Sequence, residues 1–127
     1  MPGEPELIYW DACVFLTWLN NGPQERLPII QGILEEVDGQ SKKIVTSILS
    51  KVEVAYIAPR GTQGVDPDPQ SKIDDMWADD TKFVIVELHE DIVLLARDLI
   101  RQAKGKGRSL KPPDAIHLAT AKWIRAA

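Results

Sequence analysis

Leu-Ile-Tyr-Trp-Asp-Ala-Cys-Val-Phe-Leu-Thr-Trp-Leu, residues 7–19, changes its hydrophobic period half-way along. The apolar, aromatic run 7–10 reads as a short buried strand. Past Asp11 the apolar residues Val14, Phe15, Trp18 and Leu19 recur at helical spacing, until Asn20-Asn21-Gly22-Pro23 punctuates the chain. A carboxylate therefore stands where a strand ends and a helix begins.

The same alternation continues outward. Leu27, Ile30, Leu34 and Val37 lie on one helical stripe that Asp38-Gly39 ends. Residues 43–46 suggest a second strand. A helix from Ser47 through Ile48, Leu49, Val52, Ala55 and Tyr56 is expected to stop at Pro59. The stretch from Pro59 to Pro69 carries prolines and glycines without periodicity and reads as a loop. A short helix with Met76 and Trp77 precedes a third strand at Phe83–Val86. Ile92, Leu95, Ala96, Leu99 and Ala103 mark a further helix, closed by Lys104-Gly105-Lys106-Gly107. A last helix starts near Pro113. Strands alternating with helices predict one three-layer α/β domain over 1–127, built on a parallel sheet. Such folds gather ligands at the carboxyl ends of their strands, which is where Asp11 falls.

The bulk properties bound the function. A chain of 127 residues suits a single domain, and 44% hydrophobic with 27% charged residues is an ordinary globular balance. A net charge of −4 means that the protein as a whole does not attract nucleic acid, so a polyanion would need a local basic patch. Cys13 is the only cysteine; it cannot form an internal disulfide or a cysteine zinc site, and it points to a reducing cytosol. The first residues lack a signal-peptide pattern, and no apolar run is long enough for a membrane span. The expectation is a soluble, cytoplasmic protein.

Three acids draw attention. Asp11 is placed either to cap its helix or to hold a ligand. Glu53 lies among Leu49, Val52, Tyr56 and Ile57, where a carboxylate loses hydration; a solvated stripe shared with Ser50 is the alternative. Asp114 follows Pro112-Pro113 in a first helical turn, where the helix dipole favours an anion. Its helix, with Ala115, Ile116, Leu118, Ala119, Ala121 and Trp123, is apolar nearly all round and is expected to be buried. The acids are 42 and 61 positions apart, so only a fold could unite them. Clustered carboxylates resist joint ionisation. A hard divalent cation resolves that conflict, activates water and steadies charge on a phosphodiester.

Three segments carry a family resemblance. Ile-Tyr-Trp-Asp-Ala-Cys-Val-Phe-Leu (8–16) resembles the opening strand and helix of PIN domains. Thr-Ser-Ile-Leu-Ser-Lys-Val-Glu-Val (46–54) resembles the segment with their second acid. Pro-Pro-Asp-Ala-Ile-His-Leu-Ala-Thr-Ala (112–121) is similar to their most distinctive helix. The resemblance implies a central parallel sheet flanked by helices, with Asp11, Glu53 and Asp114 as metal-site and catalytic acids. It also implies cleavage of single-stranded RNA with Mg²⁺ or Mn²⁺, in the manner of VapC-type toxins, a homodimer, and a small antitoxin partner. Ser47 matches a hydroxyl position near that site; a helix N-cap is its other reading.

The match has gaps. Family members usually carry one more strand after the last helix here, and often a fourth acid or amide beyond it. The sequence stops at Ala127, so the expected fold has its final strand missing and would hold a second metal poorly. This supports an alternative function, an inactive PIN-like binding or scaffold module. Cys13 replaces the hydroxyl or amide common two residues past the first acid, and is read as packing. It also counts against a phosphatase of the HAD type, which needs an acid there. No phosphate-binding glycine loop is present.

Arg97, Arg101, Lys104, Lys106, Arg108 and Lys111 form a basic run leading into Asp114. It reads either as a guide for a phosphate backbone, with Arg108 and Lys111 nearest the site, or as a solvated face. His117 is expected to be a hydrogen-bonded core histidine rather than a ligand or proton carrier. Trp10, Trp18, Trp77 and Trp123 are candidate core or interface anchors.

Overall fold

The computed structural model describes residues 4–20, 22, 24–55, 69–79 and 81–125. Strand β1 (Glu6–Tyr9) leads into α1 (Ala12–Leu19), a 3-10 turn (Gln24–Arg26) and α2 (Leu27–Asp38). Strand β2 (Lys42–Ser47), the single-turn α3 (Ser50–Glu53), α4 (Pro69–Ala78) and β3 (Phe83–Val86) follow. Two helices, α5 (Glu90–Gly105) and α6 (Pro112–Ile124), complete the order.

The strands form a parallel sheet in the order β1-β2-β3, so the α/β architecture with a central parallel sheet is observed. Among the described residues β1 is an edge strand.

Register and pleat divide the core. Ile8 pairs with Ile44, which pairs with Phe83, and this row packs with Trp10, Phe15, Ile30, Leu34, Val37 and Met76 beneath α1, α2 and α4. Successive strand residues point to opposite faces, so Tyr9, Val45 and Val84 face the other way. On that side Val86 packs with Ile92, Ala96, Leu99, Ala115 and Ala119 of α5 and α6. Helices thus cover both faces, as a sheet of near-continuous apolar strands requires.

Local structure departs from expectation at three places. Ser47 does not begin a helix; it is the last residue of β2, because its pairing with Val86 extends the ladder. The following helix is a single turn: Val54, at φ −99° and ψ 60°, leaves helical geometry directly after Glu53. The expected continuation to Tyr56, and the loop from Pro59 as far as residue 68, lie outside the described residues. Pro69 itself opens α4, where its fixed φ suits the first helical position. Finally, α6 is not buried all round. Ala115, His117, Ala119 and Thr120 are buried, whereas Leu118 and Trp123 are 44% and 49% exposed. Trp123 stacks edge-on against His89, while Trp10, Trp18 and Trp77 join the aromatic core around Phe15 and Phe83.

Candidate functional site

Asp11 follows β1 with extended backbone (φ −85°, ψ −179°), and its Oδ1 accepts a hydrogen bond from Val14 N–H at 3.3 Å. The capping role is therefore real. It engages one oxygen, and among the described residues no donor meets Oδ2. Asp114 sits exposed in the first turn of α6, after Pro112 and Pro113, where the helix N-terminus stabilises its charge. Asp11 and Asp114 line one cleft of about 430 Å³, with Tyr9, Val14, Leu110, His117, Leu118 and Ala121.

Glu53 reaches this cleft indirectly. Its Oε1 lies 2.5 Å from Nε2 of His117, a residue only 7% exposed that forms part of the cleft wall. On the other side of the imidazole, Nδ1 is 2.6 Å from the Tyr9 hydroxyl, which in turn accepts Ser47 N–H at 3.1 Å. His117 is thus the hydrogen-bonded buried histidine the sequence suggested. Tyr9 was not singled out by sequence; a tyrosine one pleat before Trp10-Asp11, needing a partner for its hydroxyl, was the available signal. Burial, more than any other cause, pushes the Tyr9 phenol up to about 12. The Asp11 charge adds to this, while Ser47 N–H and the Thr46 and Thr120 hydroxyls oppose it.

The charges of the three acids converge near Cys13. Its thiol is raised by partial loss of hydration and then by Asp11, Glu53 and Asp114, in that order. The residue as a whole is exposed, so it is not the buried space-filler expected from base rates.

Ser47 also needs correction as a candidate RNA contact. It is 1% exposed, and its Oγ accepts Leu49 N–H at 3.1 Å, so it shapes the β2 terminus from inside. Arg108 and Lys111 are exposed and flank Leu110, which lines the cleft. The remainder of the basic run is exposed as well, with Arg97 4.0 Å from Asp98.

The PIN domain family model matches residues 8–127. The chain belongs to the PIN domain family. Its fold is also similar to a chain in a toxin-antitoxin complex from Klebsiella pneumoniae, with a TM-score of 0.58 and 20% identity. That likeness covers 94% of this chain and 81% of the other. No curated protein sequence matches. PIN domains are generally nucleases, and PIN nucleases typically use divalent metals.

Whether this PIN domain's residues suit such an ion can be judged from the donors. Among the described residues, no group of three or more histidine, cysteine, aspartate or glutamate side chains is gathered closely enough to hold a metal. The three acids expected as one ligand set are instead arranged as two and one. Asp11 and Asp114 share the cleft, and Glu53 is tethered to its wall through His117. That arrangement still fits Mg²⁺ or Mn²⁺. A hard cation of this kind is commonly held by one or two carboxylates, completing its shell with water and substrate phosphate. No helix among the described residues is long and apolar enough to cross a membrane.

Proposed function

We propose that this PIN domain is a metal-dependent endoribonuclease acting on single-stranded RNA, and the toxin of a toxin–antitoxin pair. The observation that carries the reading is the shared cleft of Asp11 and Asp114, with Glu53 joined to its wall by His117. Membership of a generally nucleolytic family and the fold likeness to a toxin-antitoxin complex support it. A small antitoxin and a second copy of the chain are the partners proposed, and the cytoplasm is the proposed location.

Asp11 and Asp114 would hold Mg²⁺ or Mn²⁺ in the cleft, and Glu53, tethered to its wall through His117, would complete the acid set once the ion binds. When bound, such an ion supplies stabilisation of phosphate charge and a lowered pKa for the attacking water. The remaining contributions come from the chain itself. Asp11 keeps Oδ2 available while Oδ1 holds the start of α1 in place. Asp114 stands in the first turn of α6, at the positive end of the helix dipole. Leu110, Leu118 and Val14 supply an apolar wall that limits water, and Arg108 and Lys111 offer charge to a phosphate backbone beside it.

Incubation of the purified full chain with single-stranded RNA and Mn²⁺ tests the reading. Cleavage is expected, and both EDTA and Asp11→Asn are expected to abolish it. Cleavage indifferent to both would sink the proposal. The absence of a gathered three-donor group among the described residues favours one rival, an inactive binding module. That rival is supported by RNA left intact with Mn²⁺ while partner binding persists.

A further inference from the structure

Glu53 occupies the last position of a four-residue helix, and Val54 departs from helical geometry immediately after it. One turn of helix gives little purchase on a carboxylate, since the termini of a short helix are held by few internal bonds. What fixes this side chain comes from α6, 64 residues away in sequence. We propose, resting on the metal-dependent reading above, that His117 is a positioning residue: it donates Nε2–H to Glu53 Oε1 and so holds this carboxylate at the wall of the Asp11–Asp114 cleft, where a divalent cation would bind.

The direction of each proton follows from its partners. Ser47 N–H can only donate, so the Tyr9 oxygen accepts at that contact. The Tyr9 hydroxyl lies 2.6 Å from His117 Nδ1. A carboxylate oxygen accepts, so at the 2.5 Å contact with Glu53 Oε1 the donated proton sits on Nε2, and Nδ1 faces the Tyr9 hydroxyl. The ring is 7% exposed and stands edge-on to Tyr9, with centroids 5.8 Å apart, so little freedom remains for it to turn away. Ser47, Tyr9, His117 and Glu53 thus form one line of hydrogen bonds from the backbone of β2 to the carboxylate. Groups that orient metal ligands in this way typically matter about 10–100-fold in affinity.

Two measurements test this. The first is Mn²⁺ affinity of the full chain by calorimetry, alongside thermal midpoints. His117→Leu is expected to weaken Mn²⁺ binding by about tenfold or more. His117→Gln, which can place a donor near the Nε2 position, is expected to restore most of it at a similar thermal midpoint. In a Glu53→Gln background, His117→Leu should cause no further loss. Equal weakening by Leu and Gln, or additive losses in the double variant, would overturn the proposal. If His117→Leu fails to fold, Tyr9→Phe replaces it, since it removes the hydroxyl that pairs with Nδ1 and leaves the imidazole in place; unchanged affinity in that variant also overturns the proposal.

The second is nitrogen NMR of the imidazole in metal-free protein, which is independent of any metal. A proton on Nε2, with a signal displaced by Glu53→Gln, is expected. A proton on Nδ1 alone, or no response to Glu53→Gln, overturns the inference. Wild-type protein that binds no Mn²⁺ and cleaves no RNA would instead overturn the proposed function, and the NMR result would then decide the positioning claim by itself.

Discussion

His117 and Glu53, 64 residues apart in the chain, meet at 2.5 Å between Nε2 and Oε1, and this contact joins the last helix to the end of the second strand's connection. It ties the third acid to the wall of a cleft that Asp11 and Asp114 share.

Asp11 carries two roles that substitution can separate. Asparagine caps helices about as well as aspartate, so Asp11→Asn should leave the thermal midpoint nearly unchanged while abolishing metal-dependent cleavage. Asp11→Ala should lose cleavage and also about 0.5–2 kcal/mol of stability. Urea denaturation of both variants checks this; equal stability loss in the two would show that the cap contributes nothing distinctive.

Tyr9 should ionise abnormally. In a Tyr56→Phe background it is the sole tyrosine, and its absorbance change should centre near 12 rather than 10.0. Between those values the unfolded chain has released the proton and the folded chain still holds it. Its stabilising contribution is therefore complete below pH 10 and is lost as pH rises towards 12. Wild type should lose stability over this range more steeply than Tyr9→Phe; parallel curves would contradict the assignment.

Phe15 is fully buried, with ring centroids 5.2 Å from Trp10, 4.9 Å from Trp77 and 5.7 Å from Phe83. Truncation to alanine should cost about 3–5 kcal/mol, enough to threaten folding of a marginally stable domain. A shift of the denaturation midpoint at constant slope is the expected observation; a loss below 1 kcal/mol would mean that the aromatic cluster collapses around the gap.

The turn after α2 stores strain at an unexpected residue. Gly39 has an ordinary φ of −76°, while Gln40 takes φ +65°, the left-handed region that favours glycine. Gln40→Gly is expected to stabilise the fold by up to about 1 kcal/mol. A destabilised variant would indicate that the glutamine side chain contributes more than the backbone strain costs.

Arg108 and Lys111 flank the cleft residue Leu110. Neutralising both should weaken RNA binding and reduce the salt dependence of its affinity by about 1.4 in logarithmic slope, at roughly 0.7 per charge on a single strand. Binding measured from low to moderate salt reads this directly. An unchanged slope would leave these residues as solvated surface.

Much of this protein was determined locally, by the sequence itself. The helix over Leu27–Asp38 and the strand at Phe83–Val86 lie where their apolar spacing and turn residues put them, because both signals act within a few residues. Asp11 at the strand-to-helix junction was legible for the same reason, and family motifs marked all three acids. Tertiary structure decided the rest. Ser47 became strand because Val86 was there to pair with it. Leu118 and Trp123 stayed exposed because α6 has only one face to bury. Tyr9 and Glu53 found His117 across 108 and 64 residues. A hydrogen bond between such distant groups has no local propensity to announce it; it exists only once the sheet has stacked β1 beside β2 and α6 has packed across them.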